Sequence, residues 1–111
     1  MANNGEASSG ASWEVREFIR AIKAYLRRTQ GSVVSITSRK LVRTLGHSLC
    51  SQTGTWLRYK FARFLRCLER RHVVRRIGKS TGFVYIAERE KLEKVIGNYL
   101  HLAMLIESDM V

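Results

Sequence analysis

The segment TWLRYKFARFLRCLERR, residues 55–71, constrains the chain more than any other. At 100° per residue, Leu57, Phe61, Phe64, Leu65 and Leu68 fall on one side, which predicts a helix over 54–71 with a core-facing stripe. The opposite side carries Thr55, Tyr59, Arg63, Arg66 and Arg70, with Trp56 and Arg58 at its margins. Tyr59, Arg63, Arg66 and Arg70 follow i, i+4, i+7, i+11 spacing, so an aromatic and arginine stripe about three turns long backs the apolar one. A helix marked on both faces must bury one and leave the other for solvent or a partner.

The rest of the chain supplies what that helix packs against. Val15, Phe18, Ile19, Ile22, Tyr25 and Leu26 form a 3.6-residue stripe that predicts a helix over 12–29, with Ser12 as N-cap, Glu14 in the first turn and Gly31 as the stop. The β-branched run at 33–36 predicts a short strand. Thr37 then caps a short helix over 38–45, with Leu41, Val42 and Leu45 as its stripe and Gly46 as its end. Residues 46–53, GHSLCSQT, read as a turn. Two further strands are expected at 72–77 and 83–87, joined by the glycine-flanked loop 78–82 in a hairpin that carries Arg75, Arg76 and Lys79. A last helix is expected over 88–107, opening on acids. The fold class expected is mainly α with a small β-hairpin, in one domain of 111 residues.

The charge is distributed as unevenly as the apolar residues. The whole chain has 20 Lys and Arg against 9 Asp and Glu, a formal net charge of +11. Residues 16–79 hold 17 of these bases and two acids, Glu17 and Glu69, a net of +15, whereas residues 80–111 are net −2. No acid occurs between Arg20 and Arg66. A surface that is merely soluble intersperses both signs. A one-sign block of this length within a folded region points to a polyanion, meaning nucleic acid or an anionic membrane surface.

Several function classes find no support. No apolar run approaches the roughly 18 residues of a transmembrane helix. MANNGEASSGAS lacks the basic and apolar regions of a signal peptide, and residues 1–11 read as a short flexible arm. With no secretion signal, Cys50 and Cys67 read as a reduced pair, a single disulfide being the alternative. His47, His72 and His101 match no metal spacing with them, so neither metal nor cofactor is expected. There is no G-x-S-x-G, P-loop, G-x-G-x-x-G or H-E-x-x-H motif, and Glu88, Glu90 and Glu93 suit the opening turns of a helix. An enzyme is not expected. A membrane-surface role is disfavoured because the arginines back core-like stripes, with no lone basic amphipathic tail.

The order helix, strand, helix, helix, hairpin, helix resembles the winged helix-turn-helix domain of small DNA-binding regulators and chromatin-associated proteins, particularly archaeal ones. The resemblance spans residues 12–106, and its carriers are VVSI, TWLRYKFARFLRCLERR and VVRRIGKSTGFVYIA. It rests on element order and not on a signature motif, and the turn at 46–53 is longer than that of the tight helix-turn-helix. The resemblance implies a flexible arm at 1–11, a winged-helix domain at 12–87 and a C-terminal helix at 88–111. It implies a double-stranded DNA-binding protein, a transcription regulator of the cytoplasmic nucleoid, with the helix at 54–71 in the major groove. Thr55, Arg58, Tyr59, Arg63, Arg66 and Arg70 would then meet bases or flanking phosphates. Arg75, Arg76 and Lys79 on the wing would meet phosphates or the minor groove, and Arg39, Lys40 and Arg43 the backbone. Trp56 reads as core or helix-start packing, a base contact being the alternative. RNA or ribosome binding is the alternative that charge does not separate, although no RNA-binding signature is visible. A protein-interaction module is the third reading.

The C-terminal stretch bears on assembly. Leu92, Val95, Tyr99, Leu102 and Ile106 step by 3, 4, 3 and 4 residues, and Ile96 and Ala103 widen the stripe. So broad a face predicts a homodimer through these seven residues, with packing inside one protomer as the alternative.

Overall fold

The computed structural model describes residues 13–79, 82–98 and 102–104. The expected arm at 1–11, the expected cap at Ser12, and Tyr99 and Ile106 lie outside these residues. Among the described residues, four helices and three strands follow one another as α1 (Trp13–Arg28), β1 (Val33–Ile36), α2 (Ser38–Thr44), α3 (Gln52–Arg70), β2 (Arg75–Lys79), β3 (Gly82–Glu88) and α4 (Arg89–Gly97). The protein is mainly helical with a small antiparallel sheet in the order β1-β3-β2.

The apolar stripes meet in a single core. Val15, Phe18, Ile19, Ile22 and Leu26 of α1 are buried together with Leu57, Phe61, Phe64, Leu65 and Leu68 of α3. At the centre, the Phe18 ring lies 5.4 Å from that of Phe61 and 5.3 Å from that of Phe64, the latter edge-on. Strand β1 alternates, with Val34 and Ile36 inward and Val33 and Ser35 outward. The Tyr25 hydroxyl donates to the Ser35 carbonyl at 2.6 Å, fastening α1 to β1.

The joints follow the same local chemistry. Thr37, in extended conformation, accepts the Lys40 amide on its Oγ1 at 3.1 Å, capping α2 as expected. Helix α3 begins two residues before its expected start because Ser51 caps it, its Oγ accepting from the Gly54 amide at 2.9 Å. Helices α2 and α3 end alike. The Gly46 amide donates to Arg43 and that of His47 to Val42, while the His72 amide donates to Glu69 and that of Val73 to Leu68. Each pair is a Schellman closure, which requires a left-handed residue. Gly46 supplies it at φ 90°, but at the second site the residue is His72, at φ 63°. Left-handed backbone costs a side-chain-bearing residue about 1–2 kcal/mol. His72→Gly is therefore expected to stabilise the protein by about 1 kcal/mol, read as a rise in Tm of about 5 °C in thermal unfolding; an unchanged or lowered Tm contradicts the strain at this position.

Four expectations are corrected here. The loop at 78–82 is shorter than predicted, because the ladder runs on through Gly78↔Phe83 and Lys79↔Gly82 and leaves only residues 80 and 81 between the strands. At the other end of the hairpin, residues 72–74 close α3 and do not join β2. The hairpin is also not alone: β1 pairs along β3, from Val33↔Glu88 to Ile36↔Tyr85. Finally, the helix expected over 88–107 stops at Gly97, followed by Asn98 at φ −106°, ψ 84°, and resumes as a helical turn at 102–104. Gly and Asn both favour helix termination.

That break bears on the dimer expectation. Leu92, Ile96, Leu102 and Ala103 are buried in the protein's own core, and Val95 packs against it. Leu92 and Leu102 are wholly inaccessible, so they have no surface to offer a second copy. Among the described residues of the stripe, Leu92, Ile96, Leu102 and Ala103 thus pack within the protein's own core.

Candidate nucleic-acid interface

Because the buried stripe of α3 faces the core, its other side faces outward. Thr55, Tyr59, Arg63, Arg66 and Arg70 are all exposed, and Arg58 is half-buried at the margin. Arg39, Lys40 and Arg43 are exposed on α2, and Arg75 and Arg76 on β2, where Ile77 adds an apolar exposed residue. Lys79 ends β2, and its side chain lies outside the described residues. The expected site residues thus occupy three elements, α2 and α3 packed on one core and β2 paired to β3.

Charged groups in the C-terminal half of α3 stand beside the sheet. Arg76 Nε stands 3.4 Å from Glu69 Oε2, and Arg66 lies near enough to Tyr85 of β3 to act on its hydroxyl. Arg66, Glu69, Arg70 and Arg76 line a shallow cavity of about 570 Å³ at the C-terminal end of the helix stripe. Burial pushes the Tyr85 hydroxyl above its ordinary pKa range and Glu69 adds to this, against the opposing pull of Arg76 and Arg66. Glu69 is the only acid on this part of the surface that the sequence provides between Arg20 and the end of β2. Its pair with Arg76 is partly exposed, the side chains being 37% and 28% accessible, and such pairs contribute about 0–1 kcal/mol.

The N-terminal end of the stripe has a different character. Trp56 is not core packing as expected: it is 44% exposed, beside Trp13 at 45% and Tyr59 at 57%. Its indole Nε1 donates to Glu14 Oε2 at 2.9 Å, so the start of α1 holds its edge. Lys60 Nζ lies 4.9 Å from the Trp56 ring centroid, and the Arg63 guanidinium 5.9 Å from that of Tyr59. The sequence reading omitted Lys60, although its i, i+4 spacing from Trp56 signals the contact. The Thr55 hydroxyl donates to the Leu49 carbonyl at 3.2 Å, so its proton serves the turn before α3 and only its lone pairs face outward.

Other chemistry is sparse. Among the described residues no three His, Cys, Asp or Glu side chains converge on a metal position. Cys50 is an exposed free thiol and Cys67 a buried one on α3. No helix of the described residues is long and apolar enough to cross a membrane. Compared with known proteins, the chain matches no family model, no curated protein and no solved structure.

Proposed function

We propose that the protein binds double-stranded DNA as a winged helix-turn-helix domain, with the exposed stripe of α3 in the major groove and the β2–β3 hairpin as the wing. The observation that carries this reading is the stripe itself: Tyr59, Arg63, Arg66 and Arg70 exposed along one line of a 19-residue helix whose opposite side is buried in the core. A helix anchored in this way presents arginines to a groove about 12 Å wide without unfolding anything. Arginine suits both tasks there, forking onto guanine O6 and N7 or clamping a phosphate with planar, fixed donors. The order of elements and the antiparallel sheet beside α3 support the same reading, and Arg75 and Arg76 place cations on the adjacent hairpin.

The test is a salt-titrated gel shift with duplex DNA and duplex RNA. Binding is expected to favour DNA, with log K falling by about 0.9 per neutralised phosphate for each decade of salt. Arg63→Ala combined with Arg66→Ala is expected to weaken duplex binding by about 100-fold or more. Both side chains are exposed and outside the core, so a melting curve should show the double variant still folded. Unchanged duplex binding by the folded variant would falsify the groove assignment, and a clear preference for RNA at equal salt overturns the choice of DNA.

A further inference from the structure

At the far end of α3 from the arginine cavity, Trp13, Gln52, Thr53, Thr55, Trp56 and Tyr59 line an open groove of about 710 Å³. We propose that this groove stacks unpaired nucleobases, so that the protein prefers duplex DNA with an adjoining single strand over fully paired duplex. This deepens the reading of α3 as a DNA-binding helix and rests on it.

Three large aromatic side chains are exposed together where the groove opens. The Trp56 and Tyr59 ring centroids are 6.4 Å apart, with their planes inclined by 36°. Bonding of the Trp56 indole to Glu14 fixes that ring by its edge, which limits its rotation without using the ring face. Paired bases in an intact duplex offer their edges to the grooves, while their faces are covered by neighbours in the stack. An unpaired base has a free face, and stacking on an aromatic ring is the usual way proteins hold it. The charges here suit the same occupant. Lys60 lies against Trp56 and Arg63 against Tyr59, so each ring has a cation placed to take the phosphate that accompanies a stacked base. Glu14, the acid that touches Trp56, is engaged by the indole, and along α3 the sequence has no further acid until Glu69.

The experiment measures binding to a blunt duplex, to the same duplex carrying a short thymidine tail, and to single-stranded oligothymidylate, all at one salt concentration. Tryptophan fluorescence is recorded alongside. The tailed duplex is expected to bind about 10-fold more tightly than the blunt one, with quenching of tryptophan emission. In a Trp13→Leu, Trp56→Leu variant the preference for the tail is expected to vanish while blunt-duplex affinity changes by less than about twofold, since neither residue belongs to the arginine stripe. Equal affinity of the parent protein for blunt and tailed duplex overturns the proposal while leaving the groove reading of α3 in place. A tail preference that survives in the folded double variant also overturns it. Quenching by oligothymidylate with no binding of blunt duplex sustains base stacking and overturns the duplex reading instead. Quenching by an acidic amphipathic peptide, with none by oligothymidylate, replaces the nucleobase with a protein partner.

Discussion

Gly54→Ala is expected to destabilise the protein by about 3 kcal/mol, lowering Tm by about 15 °C. The sign is opposite to the rule for helices, where alanine gains roughly 1 kcal/mol over glycine. A Cβ at position 54 would lie 1.8 Å from the Ser48 carbonyl oxygen and 2.9 Å from its carbon, and both atoms are backbone. Ser48 also accepts from the Ser51 hydroxyl at 2.9 Å, and Ser51 caps α3 through the Gly54 amide. Pushing Ser48 aside to admit the methyl group therefore disturbs the cap, a feature itself contributing about 1 kcal/mol. Gly97→Ala is the internal comparison. Nothing lies within 4 Å of a Cβ there, and its change in stability should stay within about 1 kcal/mol. Equal effects of the two substitutions in urea titration would contradict the close approach at Gly54. The contact matters for function because it seats the turn between α2 and α3 on the first turn of α3, which sets how the exposed stripe is presented.

Arg89→Ala is expected to cost about 2–3 kcal/mol, with Arg89→Lys recovering less than half. The Arg89 guanidinium closes the C-terminal end of α1. Its Nε donates to Gly31 O at 2.7 Å, Nη1 to Leu26 O at 2.8 Å, and Nη2 to Thr29 O at 2.7 Å and Thr29 Oγ1 at 3.0 Å. The last carbonyls of a helix lack partners within it and carry the negative end of its dipole, so a cation with several donors satisfies both needs. A lysine brings the charge without the planar fork. Thermal unfolding of the two variants checks this, and a Lys variant as stable as the parent would show that charge alone suffices.

The two predictions also show what the sequence displays and what it hides. Regular spacing displays helices: the stripes at Val15–Leu26 and Leu57–Leu68 locate α1 and α3 and the burial of their apolar faces, because a 3.6-residue period needs only local sequence. The outward placement of Tyr59, Arg63, Arg66 and Arg70 follows from the same period. Features that depend on distant partners are hidden. Arg89 is an undistinguished base in an acidic stretch until the fold brings it to α1, some sixty residues away in sequence. The pairing of β1 with β3 leaves no local mark in VVSI. Gly78 and Gly82 mimic loop ends while sitting inside the ladder, where hairpins also accept glycine. Trp56 misleads because its size suggests a core position, whereas its neighbour Glu14 and the turn of α3 keep it at the surface.

The clasp of Arg89 on α1, together with the β1–β3 ladder, has a consequence for how the chain acquires its shape. The Arg89 amide also donates to Ser32 O at 2.8 Å, and Val33 pairs with Glu88, so the early segment around residues 26–36 is completed only by residues 82–89. Contacts of such sequence separation must meet the entropy of closing a long loop before they return any stability. During synthesis, α1 and β1 emerge well before the strand and guanidinium that finish them. The end of α1 and strand β1 therefore stay without these partners until residues 82–89 have been made.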